Sequence, residues 1–163
     1  MKLTSLALAF SLAASPLLAQ DTTEFAYWGE NSGSLPPEYA WDYGVTFMAD
    51  RHAEVRYCKG YATEAPGCAT TKFRLSKRKF ATLQAVLAPL EADLAANPAK
   101  DDLNPPVGGG SVYGKLSMNG HEVALYAFPM ADDAARVNAV LDVLRNNTPK
   151  TAISNAKNRA KQP

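Results

Sequence analysis

The two cysteines of this chain, Cys58 and Cys68, are separated by nine residues. A zinc site needs about four nitrogen or sulfur ligands, and beyond the cysteines the chain offers only two histidines, His52 and His121. A thiol redox centre is usually a Cys-x-x-Cys motif, which this spacing does not match. The chain begins with an export signal, and two cysteines in an oxidising compartment favour a single disulfide. We therefore predict a Cys58–Cys68 disulfide, no metal site and no cofactor.

The export signal occupies residues 1–19. Lys2 precedes an apolar run from Leu3 to Leu18, and the small residue Ala19 follows it. A charged start, a short apolar run and a small-residue cleavage site are typical of a secretory signal peptide. Serines and a proline interrupt the run, so we expect neither this segment nor any later one to span a membrane. We expect cleavage near Ala19 and a periplasmic or secreted product.

The disulfide would close the segment KGYATEAPG into a loop between two strands. A rigid loop has less freedom to lose when it binds, so this loop is a candidate for recognition, with Lys59 and Tyr61 as contact residues. The alternative is a staple that joins the two strands and binds nothing. The sequence leaves both interpretations open.

Five basic side chains after this loop form a second candidate binding site. Cations in the first turn of a helix oppose its dipole, and such a local conflict can mark function. Free N–H groups at the helix start would add to the attraction for an anion, such as an envelope polymer. The alternative is a solvated edge in which lysine prevents pairing with other chains. The five residues are Lys72, Arg74, Lys77, Arg78 and Lys79.

Aromatic residues are concentrated between residues 25 and 47, and Trp28 and Trp41 are the largest. On one interpretation they form a platform for a glycan or a peptide, because interfaces favour aromatic side chains. On the other they belong to the core. Both histidines are expected at hairpin turns, and the chain has no Gly-x-Ser-x-Gly motif. We therefore assign no catalytic residue.

The first half of the chain predicts a strand hairpin, a third strand and a helix. Apolar and polar residues alternate along WDYGVTF and AEVRYCKGY, which places Phe47 opposite Val55 and Val45 opposite Tyr57. TTKFRL forms the third strand. Ser76 is the expected N-cap of the helix KRKFATLQAVLAPLEADLAAN, which has apolar residues at helical spacing.

The second half repeats this plan. SVYGKLSMNGHEVALYAFP contains Asn119-Gly120, the preferred two-residue turn of a hairpin, which pairs Met118 with His121. An amphipathic helix follows, with Asp132 in its first turn. The last segment, TPKTAISNAKNRAKQP, contains basic residues but no acid and no aromatic residue. It predicts a disordered basic tail over residues 148–163.

The pieces YGVTFMADRHAEVRY and LSKRKFATLQAVL resemble a group of uncharacterised secreted bacterial domains, which have a strand, a tight turn, a strand and an amphipathic helix. The resemblance implies this architecture and no activity. We expect an α+β fold: an antiparallel sheet of about five strands with two main amphipathic helices on one face. The sheet and helices would form two hairpin-helix halves of a single domain, residues 20–147.

The charge of the chain bears on its partners. Without Lys2, 16 basic and 16 acidic side chains remain, so we expect no nucleic-acid partner. We expect a small exported binding protein, not an enzyme, that acts on a periplasmic or secreted protein or on an anionic envelope polymer. The alternatives are an inhibitor of a secreted hydrolase, a hydrolase that uses His52 or His121 with an acid, and a structural protein that self-associates through its aromatics.

Overall fold

The computed structural model describes residues 23–105 and 108–161, and the predicted signal peptide lies outside them. Within these residues the chain forms six strands and three helices. In chain order the elements are β1 (Glu24–Asn31), β2 (Trp41–Met48), β3 (His52–Lys59), β4 (Cys68–Arg74), α1 (Lys77–Ala96), β5 (Ser111–Met118), β6 (His121–Leu125), α2 (Ala131–Asn146) and α3 (Lys150–Arg159).

The six strands form one antiparallel sheet in the order β4-β3-β2-β1-β5-β6, which confirms the expected α+β class. The sequence pattern did not predict strand β1, although β1 joins the two halves by pairing with β2 and β5. The alternation along β1 is interrupted where Phe25 and Ala26 are both buried, beside a register shift in the β1–β2 ladder. An extra residue of this kind breaks the two-residue period by which a strand is recognised.

The apolar core lies between the sheet and the helices. Strand residues such as Val45 and Phe47 are fully buried, and Phe25 meets Phe80 of α1 edge-on, with ring centroids 5.4 Å apart. Alternate residues point to the other side of the sheet, which we call the open face; there Lys72 lies 3.6 Å from Glu54. The helices contribute Leu83, Leu87 and Leu94 from α1 and Val137, Val140, Leu141 and Leu144 from α2.

The β5–β6 hairpin has the predicted register, with Met118 opposite His121. Its turn residues Asn119 and Gly120 have φ angles of 50° and 81°. Positive φ at both positions is what this two-residue turn requires, and Asn-Gly provides it at little steric cost. The turn is therefore determined by two adjacent residues, which is why the sequence predicted it correctly.

The predicted register of the β2–β3 hairpin is wrong by two residues. Phe47 pairs with Ala53 and Val45 with Val55. The loop comprises residues 49–51, because Arg51 has a φ of 76° and its N–H donates to the carbonyl of Met48 at 3.0 Å. A shift of two residues leaves every side chain on its original face, so the predicted division into core and polar faces is unaffected.

Helix α1 begins at its predicted N-cap, since Ser76 Oγ accepts a hydrogen bond from the N–H of Lys79 at 3.2 Å. Pro89 lies inside this continuous helix of 20 residues. Phe80, Leu83, Leu87 and Leu94 of the predicted apolar stripe are buried, together with Glu91. The stripe was also expected to include Leu90, which is partly buried, and Val86, which is exposed.

Arg136 of α2 holds α2 against α1. Its guanidinium donates to Asp93 Oδ2 at 2.7 Å, to the carbonyl of Asn97 at 2.7 Å and to Asp133 Oδ1 at 2.7 Å. The carboxylate of Asp133 also accepts the backbone N–H of Lys100 at 2.9 Å. The hydrogen bond from Lys100 and that from Arg136 hold the pKa of the Asp133 carboxyl below its usual value.

The prediction of a disordered tail is wrong for residues 150–159, which form helix α3 against strands β3 and β4. Ala152, Ala156 and Ala160 are buried along one side of this segment. Three alanines make only a narrow apolar face, and a helix this short depends on packing for its stability. The segment is therefore ordered by the sheet on which it lies, which its own composition does not reveal.

Candidate functional site

The predicted disulfide is confirmed, and it joins Cys58 at the end of β3 to Cys68 at the start of β4. The two residues face each other in the β3–β4 ladder, with Cα atoms 4.0 Å apart, as in the closer pairs of antiparallel strands. The bond therefore closes the connection between two strands that are already paired. In the chain-entropy account, a loop of this length stabilises the fold by about 2.5–3 kcal/mol.

The loop closed by the disulfide packs against the β1–β2 loop. Tyr61 Oη donates to the carbonyl of Leu35 at 2.6 Å, and the N–H of Gly60 donates to the carbonyl of Ala40 at 3.0 Å. Both loops lie at one end of the sheet, because β1 and β3 end there and β2 and β4 begin there. Two loops far apart in the sequence thus form one structure.

Three large apolar side chains are exposed on these two loops, and we call them the loop surface: Leu35, Tyr39 and Tyr61. Their exposed fractions are 42%, 67% and 57%. They are half of the six large apolar side chains that are exposed in the described part of the chain. Pro36 and Pro37 lie between Leu35 and Tyr39 and restrict the backbone there. Exposed apolar groups concentrated on restrained backbone are typical of a binding surface.

The β1–β2 loop is anchored at its base. The side chain of Asn31 donates to Ser111 Oγ at 2.9 Å and accepts the N–H of Gly33 at 2.9 Å. Gly33 has a φ of 70°, and a Cβ there would lie 1.8 Å from the carbonyl oxygen of Gly109. Only glycine fits this close approach between two backbone segments.

The disulfide loop is anchored from two sides. Arg56, which projects from the open face of β3, donates to the carbonyl of Thr63 and lies 3.3 Å from Cys68 Sγ. Beyond α3, the N–H of Lys161 donates to the carbonyl of Pro66 at 2.9 Å. Nearby on β2, burial raises the pKa of the Asp42 carboxyl, an effect that the positive charge of Arg56 opposes. The loop surface therefore rests on a fixed base.

The structure places the predicted basic cluster away from the loop surface. Lys72 is on the open face of β4, and Arg74 ends that strand. Because β4 runs from the disulfide to Arg74, the start of α1 lies at the opposite end of the sheet, about 20 Å away by the length of the strand. The remaining members of the cluster, all exposed in the first turn of α1, are Lys77, Arg78 and Lys79.

The two tryptophans belong to the packed interior more than to a surface. Trp28 is 2% exposed, and its Nε1 donates to Thr148 Oγ1 at 3.1 Å. Trp41 is half-buried and stacks on Tyr43, with ring centroids 5.7 Å apart. Lys59 pairs with Trp41 in the β2–β3 ladder and is also half-buried. Of the predicted binding residues, Trp41, Lys59 and Tyr61 thus lie at the loop end of the sheet, and Tyr61 is the exposed one.

Sequence reasoning missed two of the three residues of the loop surface, Leu35 and Tyr39. A signal was present, since both lie beside the Pro36-Pro37 pair, and consecutive prolines disfavour a regular strand or helix. The contact between Leu35 and Tyr61 had no sequence signal, because these two residues are 26 positions apart. Sequence reasoning also missed the pairing of Glu91 with His121, which the fold brings to α1 from the start of β6.

No protein-family model matches this chain, and no curated protein matches its sequence. Across residues 23–105 and 108–161, no helix combines the length and apolar character needed to cross a membrane. In the same ranges, no three side chains of the metal-binding types come together.

Proposed function

We propose that this chain is a small exported binding protein that recognises another protein through the loop surface. The observation that carries the proposal is the clustering of Leu35, Tyr39 and Tyr61 on two loops that hydrogen bond to each other beside the disulfide. Tyrosine is a frequent centre of binding energy at interfaces, because it contributes a large contact area together with a polar hydroxyl. Anchored loops also lose little freedom on binding.

A protein partner suits this surface better than an anionic envelope polymer. Glu38 and Glu64 are exposed on the same two loops, and their charges would repel a polyanion. The cations at the start of α1, residues 77–79, which were expected to attract such a polymer, lie at the opposite end of the sheet.

A broad contact also suits this surface better than insertion of one side chain into an enzyme pocket. The hydroxyl of Tyr61 is bound to the carbonyl of Leu35, so the ring is held against the neighbouring loop. An inhibitor that inserts a single side chain into an enzyme pocket presents that side chain without hydrogen bonds to its own loops. The loop surface is therefore better suited to a partner that covers both loops than to the pocket of a hydrolase.

The binding proposal is tested by affinity capture from a periplasmic extract, with the mature chain immobilised. Leu35→Ser and Tyr61→Ser remove apolar contact area from the loop surface. Val86→Ser and Leu103→Ser are matched controls, because these side chains are 44% and 88% exposed on other parts of the molecule. We expect one or more proteins to be captured by the wild type and by both controls and to be lost from the loop variants.

A captured protein is then purified and titrated against the same variants. We expect Tyr61→Ser to weaken its binding by about 30-fold or more, the loss that a central interface residue of about 2 kcal/mol produces. Thermal melts monitored by circular dichroism show whether each variant is folded. Equal capture by folded loop variants and by the wild type would refute the proposal.

Export is tested separately from binding. We expect the chain recovered from the periplasmic fraction to begin at Gln20, as measured by mass spectrometry of the intact protein. Recovery of a chain that retains Met1 in the cytoplasmic fraction would contradict the proposed export.

A further inference from the structure

Glu91 of α1 is the one charged side chain that is buried in the ranges the structure describes, with an exposed fraction of 1%. It occupies a position in the apolar stripe of α1. A buried carboxylate loses its hydration, and a well-packed apolar side chain in its place is often neutral or stabilising. The stability of the fold therefore does not account for a carboxylate at this position.

Two side chains of the β5–β6 hairpin bind the Glu91 carboxylate. Asn119 Nδ2 donates to Oε2 at 3.1 Å, and His121 Nδ1 lies 3.2 Å from Oε1. The side chain of His121 is 62% exposed, so the imidazole links the buried carboxylate to solvent. In the neutral tautomer in which Nδ1–H donates a hydrogen bond to Glu91, the lone pair of Nε2 is free to accept a proton. A buried carboxylate orients a histidine base in this way in hydrolytic sites.

His121 lines two clefts, with volumes of about 330 and 450 Å³. These volumes are at the lower end of the range for small-molecule sites. Glu122 lies beside His121 in the smaller cleft and disfavours an anionic ligand there. The smaller cleft suits a small uncharged group, because its apolar lining residues include Leu94, Pro98, Ala99, Val123 and Tyr126.

We propose that His121 is a general base, oriented by Glu91 as a positioning residue, that activates water to hydrolyse a small uncharged carboxylic ester bound in the 330 Å³ cleft. This activity does not rest on the proposed binding function. The β5–β6 turn lies at the end of the sheet opposite the loop surface, since β5 begins at the loop end and runs to Met118.

The reaction balances without any cofactor or further reactant. The oxygen of water attacks the acyl carbon as Nε2 of His121 takes a proton from the water. When the bond from the acyl carbon to the ester oxygen breaks, the imidazolium returns that proton to the leaving oxygen. The products are one carboxylic acid and one alcohol, and His121 is regenerated.

The test measures hydrolysis of p-nitrophenyl acetate by the mature chain at neutral pH. We expect a rate at least about tenfold above that of free imidazole at the same concentration, because a positioned general base contributes about 10²–10⁴-fold. His121→Gln should reduce the rate to that of the buffer. Glu91→Gln should lower kcat about tenfold and leave KM unchanged, because the acyl group does not contact Glu91.

His52→Gln is the matched control, because His52 Nδ1 also lies close to a carboxylate, at 2.6 Å from Asp50 Oδ2, but at the exposed start of β3. It should leave the rate unchanged. The inference is overturned if the wild type is no faster than free imidazole, if His121→Gln retains the rate, or if His52→Gln loses it equally.

A second measurement on the wild type applies even if the His121 variant does not fold. N-propylacetamide, an uncharged analogue that resists hydrolysis, is titrated while the ring nitrogens of both histidines are observed by NMR. We expect the Nε2 signal of His121 to shift with saturation and that of His52 to stay constant. An unchanged His121 signal would also overturn the proposal.

Discussion

The hydrogen bond between Trp28 and Thr148 allows a quantitative test of how the C-terminal segment joins the core. Thr148 Oγ1 accepts the indole N–H of Trp28 at 3.1 Å and donates to the carbonyl of Leu144 at 3.0 Å. Both side chains are buried, with exposed fractions of 2% for Trp28 and 6% for Thr148. Thr148→Val has nearly the same shape but removes the acceptor, so it leaves the indole N–H without a partner.

The loss of stability expected for Thr148→Val depends on which hydrogen-bonding group is left without a partner. The carbonyl of Leu144 also accepts the N–H of Asn147 at 3.2 Å, so it stays satisfied in Thr148→Val. The indole N–H of Trp28 loses its acceptor, and an unpaired buried donor costs about 1–3 kcal/mol. We therefore expect the free energy of unfolding to fall by about 2 kcal/mol. With a urea dependence of about 2 kcal/mol per molar, the unfolding midpoint falls by about 1 M.

A double-mutant cycle isolates this bond from changes in packing. The four proteins are the wild type, Trp28→Phe, Thr148→Val and the double variant, unfolded in urea and followed by far-ultraviolet circular dichroism. In the Trp28→Phe background no indole N–H remains, so Thr148→Val should cost about 1–2 kcal/mol less than it does in the wild type. A coupling below about 0.3 kcal/mol would refute the reasoning that this bond fixes the start of the terminal segment on the sheet.

Three further perturbations test other parts of the fold. Replacing both Cys58 and Cys68 by serine should lower the free energy of unfolding by about 2.5–3 kcal/mol, measured by urea unfolding against the oxidised wild type; a loss below about 1 kcal/mol would contradict the chain-entropy estimate. Gly44→Ala would place a Cβ 2.7 Å from the Tyr27 ring and should destabilise by about 1–3 kcal/mol, a cost that should vanish in the Tyr27→Ala background. The pKa of Asp133 is lowered in the folded state, so its carboxylate contributes stability above the unfolded pKa of about 4 and loses it as pH falls through the folded value. The free energy of unfolding of Asp133→Asn should therefore fall less than that of the wild type between neutral pH and about pH 2. Identical pH profiles of the two proteins would count against a lowered pKa at Asp133.

Features that depend on neighbouring residues were predictable. Asn119-Gly120 imposes a two-residue turn wherever it occurs between strand patterns, and Ser76 caps a helix through its own next turn. The β2–β3 register was less predictable, because the position of its loop depends on a positive φ at Arg51, which a non-glycine residue seldom adopts. The faces of both strands were nevertheless correct, since a two-residue shift preserves them.

Features that depend on distant residues were not predictable. Helix α3 has only alanines and Ile153 to bury, and it is stable because strands β3 and β4 already provide a surface. Tyr61 meets Leu35 only because β1, β2 and β3 lie side by side, and His121 meets Glu91 across 30 residues for a similar reason. No pattern within a single strand or helix indicates that the two residues of either pair are close together.

The sequence by itself determined the disulfide, the hairpin turn at Asn119-Gly120, the two amphipathic helices and the α+β class. Each of these follows from the spacing of residues within one element, or from the fact that two cysteines allow one pairing. The tertiary structure alone decided that Trp28 is buried, that the basic cluster and the loop surface lie at opposite ends of the sheet, and that Glu91 is paired. The physical reason is that exposure and proximity depend on how separate elements pack, whereas periodicity reports only the conformation of a single element.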